Sequence, residues 1–293
     1  MKKYFITSDT HSYYSILMKT LKKKGFDINN QDHIFVLVGD LFDRGDESLE
    51  LYNWIKSLPK ERRILIRGNH EYLFRDMVNR GYAESHDEHN CTNETLYQLN
   101  GWNDEEKRKK YYTALMTSDG TETSLLRIEE NYYGKRKKLF KSKISREVRD
   151  WMMGDEWINY WETPNYIFTH GFIPLKNRID WAASEAIGRI VKIGLPEYRD
   201  DWRNATPTEW EDSTWFNWSA NFMAVKKGVN QTGKYIVVGH WHTSDLYRFL
   251  NNNQKATYDC PIYKSKKYKV IGLDACTAGS GKINVLILDE KDL

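Results

Sequence analysis

A chain of 293 residues, 40% hydrophobic and 29% charged, suits one large domain or two small ones with a substantial core, and its net charge of +3 gives no case for a dedicated nucleic-acid binder. Cys91, Cys260 and Cys276 are odd in number and unevenly spaced; they show no disulfide framework and no Cys-x-x-Cys zinc signature, which fits a reducing compartment. The opening MKKYFITSDT has too short an apolar run for a secretory signal, and no run approaches the ~20 residues of a membrane span. A cytoplasmic protein with no membrane partner is expected.

In chain order, short apolar runs stop at residue types that ligate metals. Tyr4–Ile6 leads to Asp9 and His11, and Ile34–Val38 leads to Asp40 and Asp43. Ile64–Ile66 leads to Asn69, His70 and Glu71, Tyr166–Phe168 to His170, and Tyr235–Val238 to His240 and His242. Runs this short and unbroken fit strands buried on both faces. Helical spacing over 13–24, 47–57 and 71–80 separates the first three, with Gly25, Pro59 and Gly81 as stops. Alternation of this kind predicts a parallel sheet whose carboxyl ends share one edge, where ligands bind. Five of the eight histidines sit at these run ends. A preference of Asp and Gly for turns explains one such end but not five.

The remaining segments read as cover and closure. The polar stretch after His70 and the Trp-rich stretch after His170 predict one domain over 1–293 with cap-like insertions around 82–160 and 175–232. Trp202, Trp210, Trp215 and Trp218 read as packing within a cap, with stacking on a nucleobase as the alternative. The basic runs at 105–112, 133–143 and 263–269 read as charged helix faces and solvated loops. HDEHNC, residues 86–91, has metal-binding residue types but no strand leading into it. Residues 268–290 predict two strands joined by a Gly-rich turn, completing a second sheet.

Carboxylate, imidazole and amide oxygens together suit divalent manganese, iron or zinc, and the lack of cysteine at the run ends argues against a closed structural zinc site. The donors outnumber the needs of one ion; two neighbouring ions would use them and clamp the oxygens of a phosphoryl transfer.

Asp9-Thr10-His11, Gly39-Asp40-Leu41-Phe42-Asp43-Arg44-Gly45, Gly68-Asn69-His70-Glu71, Thr169-His170-Gly171 and Gly239-His240-Trp241-His242 resemble the motifs of the calcineurin-like metallophosphoesterases. The second and third are similar to those of the serine/threonine protein phosphatase branch. The resemblance implies an α/β fold, a four-layer αββα sandwich of two mixed β-sheets flanked by helices. It implies two divalent ions, manganese first and iron or zinc as alternatives. Asp9, His11, Asp40 and His242 would hold one, and Asp40 would bridge to a second held by Asn69, His170 and His240. A hydroxide bridging the ions would attack phosphorus, His70 would act as general acid with Asp43 orienting it, and Arg44 would hold phosphate oxygens. The implied substrate is a phosphorylated protein; the alternative is a nucleotide, either a dinucleoside polyphosphate or a phosphodiester.

Three departures bear on that choice. No arginine follows Trp215-Phe216-Asn217-Trp218, where the branch has a second phosphate-binding arginine, leaving Arg178, Arg189 or Arg203 as substitutes. His242 stands where the branch often lacks histidine, and Ser12 where glycine is common. Arg67 and Glu71 read equally as structural partners or as substrate contacts.

Overall fold

The computed structural model describes residues 1–102, 138–176, 196–216 and 219–293. It opens with β1 (Lys3–Thr7), α1 (Tyr14–Lys23), β2 (His33–Val38), α2 (Ser48–Ser57), β3 (Arg63–Ile66) and α3 (Asn69–Arg80), the alternation expected from the apolar runs. Gly81 ends α3 in the left-handed region at φ +80°, its N–H bonding to the Met77 carbonyl. The helix begins at Asn69, two residues before the expected start, because the Glu71 carboxylate accepts the N–H of Gly68 at the N-cap. Asn69 and His70 therefore ride on the first turn of a helix and not on a loop.

Next come α4 (Ser85–His89), α5 (Thr92–Leu99), α6 (Lys143–Met153), β4 (Trp157–Ile158), β5 (Tyr160–Glu162) and β6 (Tyr166–Thr169). The rest comprises α7 (Pro207–Ser213), α8 (Ser219–Lys226), β7 (Tyr235–Val238), α9 (Thr243–Asn251), β8 (Tyr263–Ser265), β9 (Val270–Gly272), α10 (Thr277–Ser280) and β10 (Leu286–Asp289). The basic run at 105–112 and the first five residues of that at 133–143 lie outside the described residues.

Among the described residues, two mixed five-stranded sheets result, in the orders β10-β1-β2-β3-β4 and β5-β6-β7-β9-β8. β1 to β4 run parallel, as do β6, β7 and β9, while β10, β5 and β8 pair antiparallel at the sides. Period-two alternation divides each strand between two cores. On β2, Phe35 and Leu37 join Phe5, Leu51, Trp54 and Met77 under the helices of the first sheet. Ile34, Val36 and Val38 instead meet Phe168, Val237 and Ile271 of the second sheet. A third core, with Ile236, Trp241 and Leu246, packs the far face of the second sheet against its own helices. Helix, sheet, sheet and helix make four layers.

The closing stretch differs from the expectation. β9 pairs with β7 in the second sheet, but β10 crosses to pair antiparallel with β1 in the first. β10 thereby covers the edge of β1 that would otherwise present unpaired backbone groups. Between them, α10 and the Thr277 hydroxyl, which donates to the Asp9 carbonyl at 2.9 Å, occupy the predicted Gly-rich turn.

Candidate active site

Registers such as Thr7 opposite Leu37, Val38 opposite Ile66, and Thr169 opposite Val238 bring the strand ends level. The turns beyond them interlock: Asp9 N–H bonds to the Gly39 carbonyl (3.0 Å) and His11 N–H to the Asp40 carbonyl (3.2 Å). Asp9, His11, Asp40, Asp43, Arg44 and His240 all have positive φ. For residues with a Cβ this conformation is strained, and a cluster of it persists only where surroundings over-determine it, typically at functional sites. Ser12, at φ +60°, meets the same demand where glycine is common, and its hydroxyl is fixed by that of Ser48 at 2.8 Å.

Two imidazoles have their tautomers set by carbonyls. His170 Nδ1 donates to Val38 O (2.8 Å) and His11 Nδ1 to Phe42 O (2.9 Å), so that each Nε2 faces the centre. There His170 Nε2 lies 3.0 Å from Asn69 Oδ1 and 3.3 Å from Asp40 Oδ1. His11 Nε2 lies 3.9 Å from both Asp9 Oδ1 and Asp40 Oδ2. The donors fall into two groups that share Asp40: His11, Asp40 and His70, and Asp40, His170 and His240, with ligand atoms within 4.8 Å of one another. Two glycines permit this crowding. A Cβ on Gly68 would stand 2.2 Å from Asp40 Oδ1, and one on Gly39, already at φ +82°, would stand 2.2 Å from His170 Nδ1.

The electrostatics fit a cation. Burial and the neighbouring Asp274 carboxylate push the Asp9 carboxyl well above the usual range. Burial, then His70, holds His11 well below the usual imidazole value, and burial with His170 does the same to His240. Both are thus neutral, the form that ligates a metal. Among the described residues, the buried Nε2 of His240 has no hydrogen-bond partner. An orphaned acceptor beside buried carboxylates is what an ion would satisfy. Burial opposes ionisation of Asp40, but His170 and His70 outweigh it and hold that carboxyl well below the usual range. Burial lowers His170, yet Asp40 outweighs burial and raises it to about 10.

His70 is buried and tied by Nδ1 to Asp43 Oδ2 at 2.6 Å, while its Nε2 lies 3.8 Å from Asp40. Burial lowers its pKa, but Asp40 and Asp43 together raise it above the ordinary value. Arg44 is exposed, lines the same cavity of about 150 Å³, and has no carboxylate partner among the described residues. His242 lies outside both donor groups, with Nε2 3.5 Å from Asp274 and Nδ1 3.6 Å from Asp245. Burial lowers it, but Asp274, Asp245 and Cys276 raise it to about 11.

Other candidates go elsewhere. Arg203 is engaged bidentately by Glu162 (2.7 and 2.6 Å) and stacks over Trp202, while Arg178, Arg189 and Trp218 lie outside the described residues. Trp202 and Trp210 are buried against Tyr160, whereas Trp215 lines the cavity, edge-on to His240. Arg67 binds the carbonyls of Met152 and Gly154, a structural role. Glu71 is structural too: it accepts the N–H groups of Asp40 and Leu41 as well as Gly68. In the 86–91 stretch, His86 pairs with Glu84 and Asp87, Asp87 also binds Arg80, and Asn90 reaches the cavity wall.

Asp274, buried at the cavity wall, escaped the sequence reading. Its signal was present, since the run Val270–Leu273 ends at an aspartate as the other five runs end at ligand types.

Across the sequence, the family model for calcineurin-like phosphoesterase matches residues 2–244. The chain belongs to that family. Among relatives of this phosphoesterase, the asymmetrical bis(5'-nucleosyl)-tetraphosphatase of Halalkalibacterium halodurans is 29% identical over 194 residues, 54% of this chain and 77% of the relative. The symmetrical bis(5'-nucleosyl)-tetraphosphatase of Pasteurella multocida is 40% identical over 67 residues, 23% of each chain. Serine/threonine-protein phosphatase 1 of Salmonella typhimurium is 38% identical over 72 residues, 25% of this chain and 31% of the relative. The chain thus aligns with about a quarter of the length of the Pasteurella relative. No described helix of the phosphoesterase is long and apolar enough to cross a membrane.

Proposed function

We propose that this phosphoesterase hydrolyses phosphate esters or anhydrides with two divalent ions, manganese first and iron or zinc as alternatives. One ion would take Asp9, His11, Asp40 and His242, the other Asp40, Asn69, His170 and His240. The observation that carries this reading is the sharing of Asp40 between two donor groups, one of which includes His70 of the buried His70–Asp43 pair. When bound, such ions supply Lewis acidity and water that deprotonates near neutral pH. His242, whose Nε2 lies 3.5 Å from Asp274, would have to give up that contact to join the set.

The protein groups complete the chemistry. Asp43, as a carboxylate, only accepts, so His70 Nδ1 carries its hydrogen and Nε2 is the nitrogen left for the substrate. A protonated Nε2 delivers its proton to the leaving oxygen, the contribution of a general acid. Arg44 holds phosphate oxygens with its planar fork as charge builds on them. We take the chain as one domain over 1–293, with the cap-like insertions around 82–160 and 175–232 shaping access.

Two substrate classes have support. The Asp43-Arg44-Gly45 turn, with Arg44 at the cavity, favours the phosphoserine or phosphothreonine of a protein. Trp215 at the cavity wall, the engagement of Arg203 by Glu162 and the tetraphosphatase relatives favour a dinucleoside polyphosphate. Parallel assays with added manganese on a phosphopeptide, a dinucleoside tetraphosphate and bis-p-nitrophenyl phosphate separate them. Inertness of the manganese-loaded chain on all three refutes the hydrolytic reading.

A further inference from the structure

The turn carrying Asp43 and Arg44, like that carrying His11 and Ser12, has two consecutive non-glycine residues at positive φ, here +77° and +65°. Such a turn needs partners outside itself, and α5 supplies them. Thr95 Oγ accepts the Asp43 N–H (3.0 Å) and donates to Asp43 Oδ1 (2.7 Å), while Thr92 Oγ donates to Asp43 Oδ2 (2.7 Å). One turn further along the helix, Gln98 Nε2 donates to the Gly45 carbonyl at 2.9 Å, and its Oε1 accepts the Ser48 N–H at 3.0 Å. Thr92, Thr95 and Gln98 recur every three residues and so share one helix face, and all three are buried.

We propose that Thr92 and Thr95 are positioning residues that fix the Asp43 carboxylate and, through it, aim His70 Nε2 at the leaving oxygen. The inference rests on the reading of His70 as proton donor. A carboxylate can rotate about its Cα–Cβ and Cβ–Cγ bonds, and a single bond to His70 does not stop it. With Oδ1 held by one hydroxyl and Oδ2 shared by the other with His70 Nδ1, both rotations are blocked. The imidazole then takes its direction from α5, an element within the insertion that follows α3. A proton that must reach an oxygen along one line is sensitive to such aim.

The test compares an alkyl phosphate monoester, which needs its leaving oxygen protonated, with p-nitrophenyl phosphate, which does not. On the manganese-loaded full chain, the Thr92→Val, Thr95→Val double variant should lose about tenfold more turnover on the alkyl ester than on the aryl ester. Serine at both positions should restore the wild-type ratio, and the valine pair should add no further selective loss to His70→Asn. Should the double variant not fold, Thr92→Val alone, which leaves the Thr95 bonds in place, carries the comparison. Equal losses on both esters, or full activity, overturn the positioning role while His70→Asn remains selective. If His70→Asn itself loses both esters equally, the proton-donor reading fails, and the positioning role with it.

Discussion

Replacing Glu71 with glutamine tests how the two catalytic turns are held together. The carboxylate is buried and accepts three backbone N–H groups: Leu41 through Oε1 at 2.9 Å, and Asp40 and Gly68 through Oε2 at 3.1 and 2.6 Å. An amide has one acceptor. Its best orientation keeps the two donors at Oε2 and turns NH₂ toward the Leu41 N–H, leaving a buried donor unpaired at a cost of ~1–3 kcal/mol. The two retained bonds lose the assistance of the charge, which makes such bonds roughly twice as strong. In the other direction, burial and the Asp40 charge both push the Glu71 carboxyl above its usual pKa, so neutralising it relieves some strain. The net expectation is a loss of about 2 kcal/mol. Urea unfolding of chelator-treated protein measures it, because bound ions would otherwise add their own stabilisation. With an m-value of ~2 kcal/mol/M the midpoint falls by about 1 M at unchanged slope. A midpoint that stays put or rises would mean that repulsion from Asp40 outweighs the three backbone bonds, and the reading of Glu71 as a clamp would be wrong.

Two further outcomes follow from the same geometry. Chelated wild-type protein should gain about 2.7 kcal/mol for each ion bound when manganese is supplied at a hundred times its dissociation constant, seen as a rise in melting temperature; Asp40→Asn should abolish the rise, and an unresponsive wild type would remove the ion site. Glu162, paired with Arg203 and Lys234, has its carboxyl lowered to about 2, with the hydrogen bond from Arg203 as the largest cause. A depressed carboxyl adds stability above its unfolded pKa of ~4.3 and loses it as pH falls toward the folded value. Solvent screening limits the contribution to about 1 kcal/mol. Glu162→Gln should therefore be less stable than wild type at pH 6, with the gap narrowing steadily between pH 4.5 and 2.5; a gap constant with pH would show that the pair contributes no charge interaction.

The sequence by itself determined the five strands that lead into the site and the edge on which the chemistry sits. An apolar run followed by a metal-ligand residue is a local pattern, and parallel strands place all their carboxyl ends on one side. Asp40, Asn69, His170 and His240 could thus be grouped although they span 201 residues, 40 to 240. Tertiary structure alone decided the rest, because those outcomes turn on partners that no local pattern names. A threonine on a helix reads as neutral filler until Asp43, 49 and 52 residues away, is found against Thr92 and Thr95. Arg203 was a possible phosphate ligand until Glu162 met it across 41 residues. The sheet that β10 joins depended on which edge lay open, and that edge exists only once β1 and β2 have paired.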